Sequence, residues 1–186
     1  MAIHDFSQPQ PFSFYSLAMS CLTKQELRKS IRKVLRSISP EVRKNQSNRI
    51  FERLQQVLEY QRAKSVGLFL SMKTEVETRP IMEDCFRCGK IVVVPKIISD
   101  CEFEWVSLDS TSRLDSLPKD KWGIPIPEYN DDHRLLLHPE FTPDVIIVPG
   151  VAFDAKCQRL GHGKGYYGRD LEVVRFRPFF RVFEAM

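Results

Sequence analysis

The sequence predicts an α/β domain built on a mostly parallel sheet flanked by helices. Three observations predict it. Two helical segments open the chain, one from Thr23 and one from Ser39. Short apolar runs bounded by turn residues follow at 65–71, 90–97 and 144–150, with a helix across 79–88 between the first two. Strands that are apolar throughout, alternating with helices, describe a parallel sheet covered on both faces.

Each element has a local reason. Thr23 can cap the first helix, with Glu26 three residues later to complete a capping box. Leu27, Ile31, Val34 and Leu35 then recur at helical spacing. Ser39 caps the second helix, Pro40 takes its first position, and Ile50, Leu54, Val57 and Leu58 supply its apolar stripe. SVGLFLS (65–71) reads as a buried strand, Gly89 ends the helix that follows, and KIVVVPKI (90–97) is a second strand. FEWVSL (103–108) is a candidate third, 109–140 reads as loop, and DVIIVPG (144–150) is the clearest strand.

Composition narrows the class. The 186 residues suit one domain, with 42% hydrophobic and 28% charged residues and a net charge of +4. No run reaches the ~18 apolar residues of a membrane span. Residues 1–20 carry no Lys or Arg, lack the pattern of a secretory or mitochondrial leader, and read as a disordered extension. Five cysteines without a leader point to reduced thiols and a cytoplasmic location. Cys85 and Cys88 form a C-x-x-C, but late in a helix and with no second pair at zinc spacing.

In a parallel sheet ligands bind beyond the carboxyl ends of the strands. Two stretches fall there: SMKTEVET (71–78) and VAFDAKCQRLGHGKGYYG (151–168). In the second, Gly161, Gly163 and Gly165 let backbone N–H groups approach a ligand, and Arg159 and Lys164 add positive charge. That chemistry favours a polyphosphate. The phosphate-loop pattern fails, because Gly165 follows Lys164; the dinucleotide pattern fails at Tyr166. A flexible basic surface loop remains the alternative.

Residues 148–171, VPGVAFDAKCQRLGHGKGYYGRDL, resemble the signature of the 5-formyltetrahydrofolate cyclo-ligase family, approximately PG-x-x-FD-x-x-G-x-RLG-x-G-x-GYYD. FLSMKTEVET (69–78), KWGIPIP (121–127) and the Lys24-x-x-x-Arg28 pair resemble three further family segments, in order. The resemblance implies a three-layer α/β domain over 21–175 (cyclo-ligase/NagB-like architecture), with 176–186 as an atypical tail. It implies a monomeric cytoplasmic ligase that binds no nucleic acid or membrane. The reaction implied is ATP-dependent, Mg²⁺-assisted conversion of 5-formyltetrahydrofolate to 5,10-methenyltetrahydrofolate through a phosphorylated formyl intermediate.

Residue roles are implied in the same way. Lys24, Arg28, Arg159, Leu160, Gly161, His162, Gly163, Lys164, Gly165, Tyr166 and Tyr167 would bind ATP. Leu70, Glu75, Trp122 and residues His162 to Tyr166 would meet the folate. Lys164 and Arg159 would stabilise the transferring phosphoryl group. The position of His162 varies within the family and is frequently basic, so a general-base role is not implied.

Two departures stand out. Gly168 replaces the final aspartate of the signature, an expected Mg²⁺ ligand, and glycine offers no side-chain oxygen. Asp170 would point about 200° away on a helix. The family's last strands, a second acidic metal contact and the final helix have no counterpart in EVVRFRPFFRVFEAM (172–186). The sequence therefore leaves two alternatives to the active enzyme: a relative that binds nucleotide or folate without turnover, and a nucleic-acid module using the basic helices of 24–53.

Overall fold

A computed structural model of the chain describes residues 22–99, 102–129, 141–154, 156 and 158–167. The expectations for residues 1–20, Gly168 and the tail lie outside the described residues.

Helices α1 (Lys24–Ser37) and α2 (Pro40–Gln55) begin where the caps require. Thr23 N–H donates to Glu26 Oε2 at 2.8 Å and Glu26 N–H donates back to Thr23 Oγ1 at 3.2 Å. At α2, Val42 N–H donates to Ser39 Oγ at 3.2 Å, with Pro40 in the first turn. Helix α1 buries no residue fully: Leu27, Ile31 and Leu35 are half-buried and Val34 is 59% exposed.

The second helix is shorter than its apolar stripe suggests. It stops at Gln55, Val57 caps a separate short helix α3 (Leu58–Arg62), and Leu58 faces outward. Lys90 fixes the end of α3 by donating from Nζ to the carbonyls of Tyr60, Gln61 and Ala63 at 2.7–3.0 Å.

Strand β1 (Ser65–Leu68) is central, paired in parallel with β2 (Ile91–Ile97) on one side and β4 (Val145–Ile147) on the other. Helix α4 (Arg79–Arg87) connects β1 to β2. It ends as Gly89 suggests: Gly89 takes φ +67°, its N–H reaches Phe86 O, and Lys90 N–H reaches Cys85 O. Strand β3 (Phe103–Leu108) runs antiparallel to β2 at the edge, giving the order β3-β2-β1-β4. The 109–140 stretch is not all loop, since Thr111–Ser116 forms helix α5.

Alternation along β1 separates two cores. Val66, Leu68 and Leu70 pack with Leu54, Ile81 and Met82 of the helices, and with Val92 and Val94 of β2. Phe69 turns to the opposite face with Ile146, Val148 and Tyr167, backed by Phe103 and Trp105. Gly67 is needed for this second face: a Cβ there would sit 2.9 Å from the Trp105 ring and 3.2 Å from Pro143. Asp144, just before β4, joins the strand starts by accepting from Lys64 N–H, Ser65 N–H and Ser65 Oγ at 2.9–3.0 Å.

Candidate active site

The site assembles beyond the carboxyl ends of β1 and β4. After β1, the 71–78 loop is closed by its two hydroxyl residues. Thr78 N–H donates to Ser71 Oγ at 2.9 Å, and Thr78 Oγ1 donates to Phe69 O at 2.8 Å. The Thr78 proton is thereby committed, so Ser71 Oγ is the donor in the 2.8 Å contact between the two hydroxyls. Inside this closed loop, Glu75 Oε2 accepts from Met72 N–H at 2.9 Å. Its other oxygen, Oε1, lies 2.9 Å from His162 Nε2.

After β4 the chain forms a small hairpin, β5 (Ala152–Phe153) with β6 (Arg159–Leu160). Asp154 shapes its turn, accepting from the N–H groups of Lys156 and Gln158 at 2.9 and 2.7 Å. The hairpin delivers the glycine loop, 161–165. Gly163 and Gly165 take φ of +99° and +83°, conformations that a side chain would strain. Helix α1 grips this loop from one face. Arg28 Nε donates to Gly161 O at 2.8 Å, and Arg32 Nη2 donates to His162 O at 3.0 Å. Below it, Arg159 Nε donates to Pro149 O at 2.7 Å, and its guanidinium lies over the Tyr167 ring. Burial pushes the Arg159 pKa down from its ordinary value, with the Tyr167 ring side opposing.

Between the 71–78 loop, helix α2 and residues 147–153 lies a cavity of about 300 Å³. Its walls are largely apolar, including Leu35, Ile50, Phe69, Val76 and Phe153, with Arg43, Gln46, Ser47, Thr74, Glu75 and Thr78 as polar groups. An apolar pocket with a few fixed polar groups suits a flat, partly polar ring.

The sequence-selected residues fall into separate positions. Arg28, Gly161, His162, Gly163 and Glu75 are brought together. Lys24 stands one turn before Arg28 and is exposed, as are Lys164 and Gly165. Leu160 pairs with Ala152 in the hairpin. Tyr166 is half-buried and Tyr167 is core. Leu70 packs in the main core, beside cavity-lining Phe69. Trp122 is 52% exposed in a turn held by Asp120 and does not line the cavity; Lys121 Nζ lies 4.4 Å from its ring centroid.

Sequence reasoning missed Arg32, Arg43 and Gln46. Arg32 was legible only as one of several cations on α1, although its four-residue spacing from Arg28 already put both on one face. Arg43 and Gln46 carried no motif signal; being on the helix that faces the strand ends was their one clue. The C-x-x-C has no metal or redox geometry. Cys85 is buried, Cys88 is exposed, and burial pushes the Cys85 thiol pKa up, with its contact to the Tyr60 hydroxyl opposing. Among the described residues no group of three or more His, Cys, Asp or Glu side chains could hold a metal ion. Asp154 is engaged by its own turn and Glu75 by His162 and Met72, so the described residues do not form a Mg²⁺ cage by themselves.

The model of the 5-formyltetrahydrofolate cyclo-ligase family matches residues 21–178. The chain belongs to that family. Curated cyclo-ligases agree with the assignment. A probable 5-formyltetrahydrofolate cyclo-ligase of Schizosaccharomyces pombe is 38% identical over 147 residues, covering 78% of this chain and 70% of the relative. The 5-formyltetrahydrofolate cyclo-ligase of Mus musculus is 37% identical over 145 residues, 77% of this chain and 71% of that one. Among solved structures, 5,10-methenyltetrahydrofolate synthetase of Aquifex aeolicus superposes with a TM-score of 0.64 at 32% identity, over 81% of this chain and 73% of that one. The cyclo-ligase family thus accounts for the α/β fold and for the order of the segments that build the cavity and its glycine loop.

Proposed function

We propose that the chain is an ATP-dependent 5-formyltetrahydrofolate cyclo-ligase, a ligase of folate metabolism. The observation that carries this reading is the meeting of Glu75, on the cavity wall, with His162, in the glycine loop, across 87 residues of sequence. It sets a carboxylate suited to a ring of hydrogen-bond donors beside a loop suited to phosphates. Family membership supplies the substrate pair.

In this reading the cavity takes the pterin, with Glu75 accepting from its ring N–H groups. Leu70 and Trp122 are proposed to meet the folate on the family pattern alone, since Leu70 packs in the main core and Trp122 stands outside the cavity lining. Lys24, Arg28, Lys164 and the backbone from Arg159 and Leu160 through Tyr166 and Tyr167 hold the nucleotide. The formyl oxygen attacks the γ-phosphorus and ADP leaves. N10 of the folate then adds to the activated carbon and gives up its proton to solvent, and phosphate departs as the methenyl bridge forms. The protein's part is to align the reactants and offset phosphate charge, with Lys164 and Arg159 contributing most to the transferring group. Mg²⁺ is proposed to enter on the ATP phosphates, its common mode of binding.

The protein is also proposed to act as a cytoplasmic monomer without nucleic acid. Arg28 and Arg32 turn into the glycine loop, which removes two cations from the face that a nucleic acid would need. No helix among the described residues is long and apolar enough to cross a membrane. A domain spanning 21–175 with a separate tail completes the proposal.

The test is the absorbance rise of methenyltetrahydrofolate when purified protein meets 5-formyltetrahydrofolate, Mg²⁺ and ATP. Turnover should require ATP and should fall at least about 100-fold in Glu75→Gln, the loss of a charged partner in a buried site. Turnover that survives without ATP would sink the assignment. A second reading, binding without turnover, rests on Gly168. It predicts a silent wild type that binds both ligands and gains activity on Gly168→Asp.

A further inference from the structure

Both oxygens of Glu75 are engaged before any ligand arrives. Oε2 accepts from Met72 N–H within its own loop, and Oε1 is met by the His162 ring from the glycine loop. The Glu75 side chain is only 8% exposed, against 31% for His162. A ligand that approaches Oε1 along the direction the ring occupies displaces the imidazole.

The two halves of His162 are held differently. Its carbonyl is fixed by Arg32, and the preceding carbonyl of Gly161 is fixed by Arg28. Its ring, by contrast, is partly exposed and turns about side-chain bonds alone. The backbone can stay anchored to α1 while the ring swings off Glu75.

We propose that His162 is a titratable competitor for the pterin site, a positioning residue that controls when Glu75 is available. This rests on the reading above that Glu75 receives the pterin. A neutral imidazole gives Glu75 one hydrogen bond. A protonated one adds the attraction of two opposite charges to that bond, which makes it harder to break. Histidine is the side chain that ordinarily changes charge between pH 5 and 8. Folate binding breaks the pair and so favours the neutral ring. By linkage, folate binding releases a proton, and affinity rises with pH through the histidine range.

The surrounding charges are Glu75, with Lys73 and Glu77 on the same loop; Arg28 and Arg32 from α1; and Arg159 and Lys164 on the strand and loop that carry His162. Ordinary Asp, Glu, Lys and Arg side chains do not titrate between pH 6 and 8.

The test is equilibrium binding of 5-formyltetrahydrofolate without ATP, at pH 6 and pH 8, to wild type, His162→Ala and His162→Gln. Wild type should bind on the order of tenfold tighter at pH 8, the equivalent of one unit of differential proton affinity. His162→Gln keeps a donor and loses the titration, so its affinity should be the same at both pH values. His162→Ala should also be flat, and tighter than wild type at pH 6. An unchanged pH slope in His162→Gln, or weaker binding by His162→Ala at both pH values, would overturn the proposal while leaving the folate assignment standing. Absence of folate binding by all three proteins, folded by circular dichroism, would instead remove the folate assignment and the competition with it.

Discussion

Arg28 Nε donates to the carbonyl of Gly161 at 2.8 Å, joining the first helix to the glycine loop across 133 residues. One side of the guanidinium fork is thus spent on the protein, and the other remains for a ligand. Replacing Arg28 with Ala removes both. kcat/KM should fall on the order of 10–100-fold, about 1.4–2.8 kcal/mol, with the loss concentrated in the KM for ATP. Arg28→Lys should recover only part, since an ammonium cannot reproduce the planar fork. Steady-state kinetics at varied ATP checks this; equal losses for ATP and folate would argue that α1 merely supports the fold.

Gly163→Ala tests the loop backbone without adding a clash. A Cβ at 163 would lie 3.5 Å from the Arg28 guanidinium, ordinary contact, so the penalty comes from φ of +99°. The strain should cost about 1 kcal/mol or more. Nucleotide affinity should drop roughly tenfold as the loop relaxes, measurable by calorimetric titration of ATP. Unchanged affinity would mean that the Gly163 N–H is not part of the phosphate cradle.

Asp144→Asn probes the sheet rather than the site. Partial burial raises the carboxyl pKa, but donation from Lys64 N–H, Ser65 N–H and Ser65 Oγ outweighs it, and the net direction is down. A lowered carboxylate pKa stabilises the fold above the ordinary range near pH ~4, and that stability is lost as pH falls through the folded-state value. Asp144 is exposed, so screening keeps the loss at about 1 kcal/mol. Urea unfolding should show this gap between wild type and variant at pH 7, narrowing on acidification. A gap that widens in acid would have the wrong sign.

The C-x-x-C should behave as two unrelated thiols. Cys85 is at 0% exposure, and burial raises its pKa. Alkylation of the native protein at pH ~8, followed by peptide mass mapping, should label Cys88 and spare Cys85 until denaturant is added. Equal labelling rates, or a Cys85–Cys88 disulfide under mild oxidation, would restore a redox role.

Much of the fold was legible because its signals are local. The caps at Thr23, Ser39 and Gly89 are hydrogen bonds among neighbours, and sequence spacing alone shows them. The break between α2 and α3 was not legible, because Gln56 and Val57 carry no Gly or Pro and Leu58 keeps the helical spacing. Helix α5 was hidden for the opposite reason: TSRLDS is short and made of residues that favour turns. The direction of β3 was available but unused. Only residues 98–102 separate it from β2, too few for the crossover that a parallel strand needs.

The site was legible in part. Glu75 and the glycine loop stood out by chemistry and by family pattern. The bond between them did not, since spacing along the chain says nothing about contacts across 87 residues. Arg32 illustrates the limit: a cation that serves a backbone carbonyl looks the same in sequence as one that serves a phosphate.

Gly67 does not line the cavity, yet the packing at that position extends to the end of the sheet that carries the candidate site. The Trp105 ring lies against it, Phe103 meets Trp105 edge-on at 4.9 Å, and Tyr167 meets Phe103 at 5.3 Å. Tyr167 lies two residues beyond the glycine loop. A single methyl at 67 would push on a stiff row of rings whose far end is that tyrosine. Damage from such a change would register in the placement of Tyr167 as well as in lost stability. A change in the middle of a strand would then act at a distance on the segment that follows the glycine loop.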